Sequence, residues 1–474
     1  MDDRIFPLKT LGETAESIRS GKFSPVEIVK YYLSRIEALE TSLGAFRLTR
    51  PGHALSEASA AEHQIAAGNH LGPLHGMPFA VKDLFDVQGL PTTAGSHLLE
   101  NNIPPRDSRA VSALRKAGMI LTGKTNTVQF AYSGVGINHD QGTPVNPWGS
   151  EPCIPGGSSS GSAVAVAAGM TPVALGTDTG GSVRIPAALC GITGLKTTVG
   201  RISRSGVYPL SWTMDSVGVL CRFAEDAALV YQAMKGCDPE DETTLLQPAD
   251  DPSHTLHPGC RAMRMVVPED VFWDDADPEV TGAVLEAVEI FRALGADIRQ
   301  CRFPEATEAM ALNRNGLIIA AEAYCSNRKL IDEHFDELDP AIAHRMVKGK
   351  EITAADYLAD MRAWRELRLR TAETLADAEV IIAPTTPVPA LPIQEVDSDS
   401  ETYSKWNLTY LRNTSIGNIL GLCGLSIPCG FTSKGLPIGL MLYGHPFGEN
   451  AVLRAGIAFQ QATSWHRKLP PRCS

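Results

Sequence analysis

Ser24-Pro25-Val26-Glu27 opens the first periodic stretch of the chain, a capping box with proline at the first helical position. Apolar residues follow at Ile28, Val29, Tyr32, Leu33 and Ile36, which predicts one face of a helix running to about Leu39. An alanine-rich stretch from Ala54 to Ala67 predicts a second helix. Between Leu74 and Ala131 the pattern changes to short apolar runs bounded by Gly and Pro. Pro78-Phe79-Ala80-Val81 and Met119-Ile120-Leu121 predict buried strands, with a helix around Ser108–Ala117 between them. Strand–helix–strand alternation implies an α/β sheet.

From Gly134 to Gly206 the chain is dominated by Gly, Ser and Thr, with a short alanine-rich helix predicted near Ser162–Ala168. A flexible linker would lack interleaved apolar residues. This stretch carries Val164, Val166, Val173, Leu175, Ile185, Ile192 and Leu195, so it reads as backbone folded closely around a ligand. Further on, Asp277-Pro278 opens a helix with Val280, Val284, Val288 and Phe291 on one face, stopped by Gly295. Asp339 to Thr374 is charged and helical in pattern, and Val380-Ile381-Ile382-Ala383 predicts a strand ended by Pro384. Thr243–His257, rich in Asp, Pro, Ser and His, is the best candidate linker. There is no internal repeat and no heptad pattern. The two halves are expected to share one sheet.

The 54 acidic and 42 basic residues leave a formal net charge of −12. That balance excludes an extended electrostatic footprint on nucleic acid or anionic lipid, and it is compatible with a homodimer. The N-terminal MDDRIFPLKT carries no apolar run of signal-peptide length, and no stretch approaches a membrane span of about 18 apolar residues. Ten cysteines lie scattered without a C-x-x-C or a zinc-like spacing to histidine. They read as reduced, mostly buried thiols of a cytoplasmic protein.

Two pattern matches are misleading. Gly118 to Thr125 satisfies the phosphate-loop expression G-x-x-x-x-G-K-[ST], but its four intervening residues are themselves the apolar strand. Gly157-Ser158-Ser159-Ser160-Gly161 matches the G-x-S-x-G elbow, which must end a strand. Glu151-Pro152-Cys153-Ile154-Pro155 precedes it, and two prolines disfavour a strand there.

A better constellation joins Lys82, the Ser158 cluster and Ser182. Ser182 ends Gly176-Thr177-Asp178-Thr179-Gly180-Gly181, where successive glycines let backbone amides turn toward one point and supply an oxyanion hole. Losing one such donor typically costs about 3–4 kcal/mol of transition-state stabilisation. An ordinary Gly-rich turn is the alternative reading. A serine hydroxyl needs a base, and apart from His139 at its edge the Gly/Ser-rich stretch holds no histidine. Lys82 follows the apolar run Met77–Val81, which buries its stem, and desolvation favours a neutral amine. The alternative is a lysine ion-paired with the adjacent Asp83.

Taken together, these residues resemble the amidase signature family. Gly156-Gly157-Ser158-Ser159-Ser160-Gly161 and the block from Gly176 through Ser182 to Arg184 and Pro186 match its core, including the serine spacing. Leu74 to Asp83, Gly123 to Asn126 and Gly142 to Trp148 are also similar, and weaker echoes reach Gly421 and Ser426 to Gly430. The resemblance implies one amidase domain over 1–474, with a signature core at about 70–220 and a substrate-shaping region at about 258–474. Its fold would be a large mixed β-sheet flanked by helices on both faces. It implies Ser182 as acyl-forming nucleophile, Ser158 as bridging serine joined to Gly157 by a cis peptide, and Lys82 as ultimate base. The amides of Thr179, Gly180, Gly181 and Ser182 would form the oxyanion hole, with no metal or organic cofactor required.

The implied function is hydrolysis of a small or aryl carboxamide, releasing a carboxylate and ammonia or an amine. Ala131, Tyr132, Asp178 and Arg184 are substrate-pocket candidates by position, although Asp178 and Arg184 read in preference as a pair supporting the glycine turn. Alternatives are the catalytic A-type subunit of a glutamine-dependent tRNA amidotransferase, which needs a partner subunit, a urea- or biuret-type hydrolase, and a binding protein without catalysis. The sequence departs from the family pattern at Gln129, commonly glutamate, and at Cys423, often proline. Leu411 to Thr414 contains no acid of the kind glutamine-using members place there to hold the substrate amino group. Arg345 falls near their carboxylate-binding arginine, and reads equally as an exposed helix charge.

Overall fold

The computed structural model describes residues 6–245, 247–248, 259–313 and 316–473. Its strands are β1 (Phe46–Thr49), β2 (Pro78–Lys82), β3 (Ile120–Thr125), β4 (Val173–Asp178), β5 (Thr193–Lys196), β6 (Ser216–Cys221), β7 (Arg264–Pro268), β8 (Asp297–Cys301), β9 (Val380–Pro384), β10 (Cys423–Phe431) and β11 (Pro437–Gly444). They form one sheet in the order β1-β3-β2-β4-β6-β5-β10-β11-β9-β7-β8, so both halves of the chain contribute to it. Pairs β2/β3, β2/β4, β7/β8 and β7/β9 are parallel. Pairs such as β4/β6 and β10/β11 are antiparallel, making the sheet mixed.

Side-chain alternation shows why helices cover both faces. Val173 and Leu175 belong to one buried cluster with Val111, Leu114, Ala227 and Tyr231 of the helices Arg109–Lys116 and Ala224–Met234. Ala174, one residue away and pointing to the opposite face, clusters with Ala163 to Ala167 of the helix Ser160–Ala167. The far end repeats the arrangement. Leu440 and Leu442 lie with Val284, Val288 and Phe291, whereas Met441 and Tyr443 lie with Trp364, Leu367 and Ile416. Strands buried on both faces read as continuous apolar runs, which explains the absence of alternation in the sequence.

The predicted early elements appear close to their expected bounds. Ser24 and Glu27 form the reciprocal capping box of the helix Pro25–Leu43, and the second helix spans Pro51–Ala66. Asp339–Thr374 is helical but interrupted, running as Pro340–Met346, a 3-10 segment Val347–Glu351, and Ala354–Thr374. Gly349 marks the interruption: a Cβ there would sit 2.1 Å from Ala320 O, so the chain packs against its neighbour by backbone alone. The expected linker Thr243–His257 lies mostly outside the described residues, and its first residues close the 3-10 turn Glu242–Thr244. All ten cysteines are unpaired and seven are buried. Among the described residues, no helix is long and apolar enough to cross a membrane.

Candidate active site

Parallel strands β2 and β4 lie side by side, with Ala80 opposite Ala174 and Val81 opposite Leu175. Their carboxyl ends therefore deliver Lys82 and Thr177 to the same edge of the sheet, where ligands of α/β sheets collect. Lys82 is fully buried, and its Nζ donates to Ser158 Oγ and to Thr177 Oγ1, each at 2.8 Å. Burial pushes its ammonium down from an ordinary 10.5 to about 7, against the opposing pull of the Asp215 and Asp178 carboxylates. Asp83 does not pair with Lys82. Consecutive residues of an extended segment point to opposite sides, and Asp83 pairs instead with Lys124 at 2.5 Å. Lys124 also donates to Pro91 O at 2.7 Å and Thr92 Oγ1 at 3.0 Å. The lysine of the phosphate-loop match is thus consumed by a buried ion pair at the end of β3.

The Gly157–Ser158 peptide is cis, as the resemblance implied. Ser158 O accepts from Thr127 Oγ1 at 2.9 Å and Val128 N at 3.3 Å, which fixes this loop over the sheet. No strand leads into Gly157–Gly161, so the elbow geometry is absent. Ser159 is fully buried, with its Oγ donating to Thr177 O at 3.3 Å. The Ser159 amide donates to Ser182 O at 3.1 Å, binding the two serine loops together.

The turn from Thr179 to Ser182 runs between β4 and the helix Arg184–Leu189. Within it, Gly180 O accepts from Thr414 Oγ1 at 2.7 Å, and Gly181 O from Ile185 N at 2.8 Å. The amides of Thr179, Gly180, Gly181 and Ser182 donate to no acceptor among the described residues. Gly181 has φ +139°, and a Cβ there would lie 2.1 Å from Thr414 Oγ1. Thr179 Oγ1 donates to Asp215 Oδ1 at 2.5 Å.

Asp178 and Arg184 form a two-pronged pair, with Nε to Oδ2 at 3.0 Å and Nη2 to Oδ1 at 2.9 Å. Asn418 Nδ2 and the Val183 amide complete the carboxylate at 2.9 and 3.1 Å. Burial alone would raise Asp178, but the Arg184 charge and its hydrogen bonds hold the carboxyl well below the usual range. Both side chains are wholly buried and engaged with each other, which supports the reading of the two as a pair beneath the glycine turn. They anchor the turn.

A cavity of about 490 Å³ opens beside the turn, lined by Gly180, Tyr132, Asn407, Leu411 and the cations Arg345, Lys348 and Arg412. Tyr132 thus lines the cavity, whereas Ala131 does not: it is buried at φ +61° and turns the chain behind Tyr132. Arg345 lies over the Tyr132 ring at 4.3 Å and donates to Tyr132 O at 2.6 Å, so it is not a free helix charge. No described residue lining the cavity is acidic. Sequence reasoning passed over Thr177, Asp215, Lys348 and Arg412. Thr177 lay inside a noticed block, while Asp215 lies 36 residues from Thr179 and carries no local signal.

The amidase family profile matches residues 27–453. The A subunit of glutamyl-tRNA(Gln) amidotransferase from Geobacter sp. (strain M21) is 36% identical over 494 aligned positions, covering 98% of this chain and 99% of that protein. The native peptide amidase of Stenotrophomonas maltophilia superposes with a TM-score of 0.85 at 28% identity, covering 98% of each chain. A 6-aminohexanoate cyclic dimer hydrolase solved with its substrate superposes with a TM-score of 0.88 at 26% identity, covering 99% of this chain and 100% of that one. The mixed sheet and these matches define an amide-hydrolysing enzyme, and the chain belongs to the amidase family.

Proposed function

We propose that the chain hydrolyses a small carboxamide through an acyl-enzyme on Ser182, with Lys82 as base and Ser158 as the hydroxyl bridge. The observation that carries this reading is the 2.8 Å hydrogen bond from Lys82 to Ser158, made in a site whose burial brings the amine to about 7. Neutral Lys82 takes the Ser158 proton while Ser158 takes that of Ser182, and Ser182 Oγ attacks the carbonyl carbon. The unengaged amides of Thr179 to Ser182 receive the oxyanion. The relay then returns the proton to the departing nitrogen, because an amine leaves only when protonated. Water attacks the resulting ester by the same route and releases a carboxylate.

The cavity is the substrate pocket in this reading, with Tyr132 and Gly180 at its edge. Its charged lining is cationic, which favours a neutral or anionic amide over one with a free ammonium group. The whole chain acts as one catalytic unit, placed in the cytoplasm, where its unpaired thiols stay reduced. A second reading, an A-type subunit releasing ammonia from glutamine with partner subunits, is favoured by the 36% identity across 98% of the chain. Against it stands the lack of a described acid to receive the glutamine ammonium.

A panel of amides, esters, ureas and glutamine, with and without a candidate partner subunit, separates the two readings. Turnover of amides by the chain alone, lost in both Ser182→Ala and Lys82→Ala, is the expected result. Glutaminase activity that appears only with a partner establishes the second reading instead. Full activity in either variant overturns both.

A further inference from the structure

Asp215 orients Thr179 at the mouth of the glycine turn and ends a partly buried loop, Tyr208 to Asp215. Arg204 Nη1 donates to Trp212 O at 2.6 Å and Tyr208 N to Leu84 O at 2.8 Å, and the middle of the loop is held by a buried carboxylate from another part of the chain. Glu322, on the helix Leu317–His334, is 8% exposed. Its Oε2 accepts from Ser211 Oγ and, at 3.2 Å each, from Thr213 N and Thr213 Oγ1. Its Oε1 accepts from Tyr357 OH at 2.6 Å. Among the described residues no cation pairs with it, so hydroxyls and an amide carry its whole charge. The loop closes on itself just beyond: Asp215 Oδ2 accepts from Leu210 N at 2.9 Å and Ser211 N at 3.0 Å, while Oδ1 accepts from Thr179. The same helix also presents Asn327, whose Oδ1 accepts from Tyr208 OH at 2.8 Å. Tyr208 and the Ser211–Thr213 segment are therefore docked on one helix.

We propose that Glu322 is a positioning residue for acylation, fixing the Tyr208–Asp215 loop so that Asp215 holds Thr179 and the amides of the glycine turn in their reactive orientation. The inference rests on Ser182 being the acylated residue. Glu322 touches neither substrate nor nucleophile; it acts through Ser211 and Asp215. Because Ile319 and Ala320 of the same helix line the cavity, the arrangement also connects the pocket wall to the oxyanion turn. An aim error of about 1 Å at such a site costs up to about 100-fold in rate.

A fluorophosphonate probe tests this without knowledge of the natural substrate, since phosphonylation of Ser182 places a developing oxyanion in the same turn. The maximal labelling rate and the half-saturating probe concentration are measured for wild type, Glu322→Ala and Glu322→Gln, with a thermal melt for each. Glu322→Ala is expected to lose about 10- to 100-fold in maximal rate with the half-saturating concentration changed by less than about threefold. Glu322→Gln is expected to recover most of it. Its amide oxygen can face Ser211 and Thr213 while its NH2 faces a Tyr357 hydroxyl turned to accept. If Glu322→Ala does not fold, Ser211→Ala combined with Thr213→Val removes the donors instead and is judged by the same criterion. A folded variant lacking these contacts that labels at the wild-type maximal rate overturns the proposal, as does a loss confined to probe affinity. Wild type that is not labelled at Ser182 overturns the acyl-enzyme reading itself, which is a separate outcome.

Discussion

Replacing Lys82 with methionine separates the two consequences of burying an amine. The fall from 10.5 to about 7 corresponds to about 5 kcal/mol of preference for the neutral form inside the protein. At pH 7 about half the molecules then carry a free amine, against about three in ten thousand for an unperturbed lysine. The folded-state value lies below the unfolded one, so the folded protein binds fewer protons between about pH 7 and 10.5. Stability from this group consequently rises with pH through that window, and below pH 7 the full cost is carried. Methionine fills the stem's volume without the charge but leaves the hydroxyls of Ser158 and Thr177 short of a partner, a cost of about 1–3 kcal/mol. Lys82→Met is thus expected to be about 2–4 kcal/mol more stable than wild type at pH 6, with the gap narrowing toward pH 10, and to be inactive. Urea unfolding at both pH values reads the first effect. The second is read from wild-type kcat/KM, expected to rise with one proton lost and a midpoint near 7. A midpoint near 10, or a methionine variant less stable than wild type at pH 6, refutes the reasoning.

Gly181→Ala places a methyl 2.1 Å from Thr414 Oγ1 at a φ of +139°, so kcat is expected to fall by about 100-fold or more while the chain still folds. Steady-state kinetics with a melting curve check this. Arg184→Ala leaves the Asp178 carboxylate buried without its partner, and denaturant titration is expected to show a loss of about 3–5 kcal/mol. Arg184→Lys should recover little of it, since an ammonium cannot make the two-pronged contact. His139 is held charged by its hydrogen bond to Asp339 and, further, by Asp397, with its value raised to about 9. Its contribution is fully present below about pH 6.5 and lost as pH rises through about 9, so His139→Gln should melt below wild type at pH 6 and alongside it at pH 10. A difference independent of pH counts against that role.

Local chemistry made part of this molecule readable from its residues alone. Ser24 and Glu27 announce a helix start because a capping box closes within four residues, and Gly181 announces a turn because few other residues take its φ. The burial of Lys82 followed from the apolar run before it. What could not be read were contacts made across the sheet. Nothing near Asp83 marks Lys124 as its partner, because parallel pairing of β2 with β3 is what brings them together. Asp215 reaches Thr179, and Glu322 reaches Ser211, through elements whose packing has no periodic signature in the sequence. β10 and β11 were likewise unpredicted: buried on both faces, and carrying Pro428, Gly430 and Gly439, they show neither alternation nor the usual strand composition. For Asp178 and Arg184 the sequence favours a supporting pair over substrate contact, and the bidentate geometry agrees with that preference.

The most direct test is peptide mapping by mass spectrometry of enzyme quenched with acid during turnover of a carboxamide or its ester. A mass increase equal to the acyl group is expected on the peptide carrying Ser182, decaying as water releases it, and absent from both Ser182→Ala and Lys82→Ala. An adduct on Ser158 or Ser159, or continued turnover by Ser182→Ala, would contradict it.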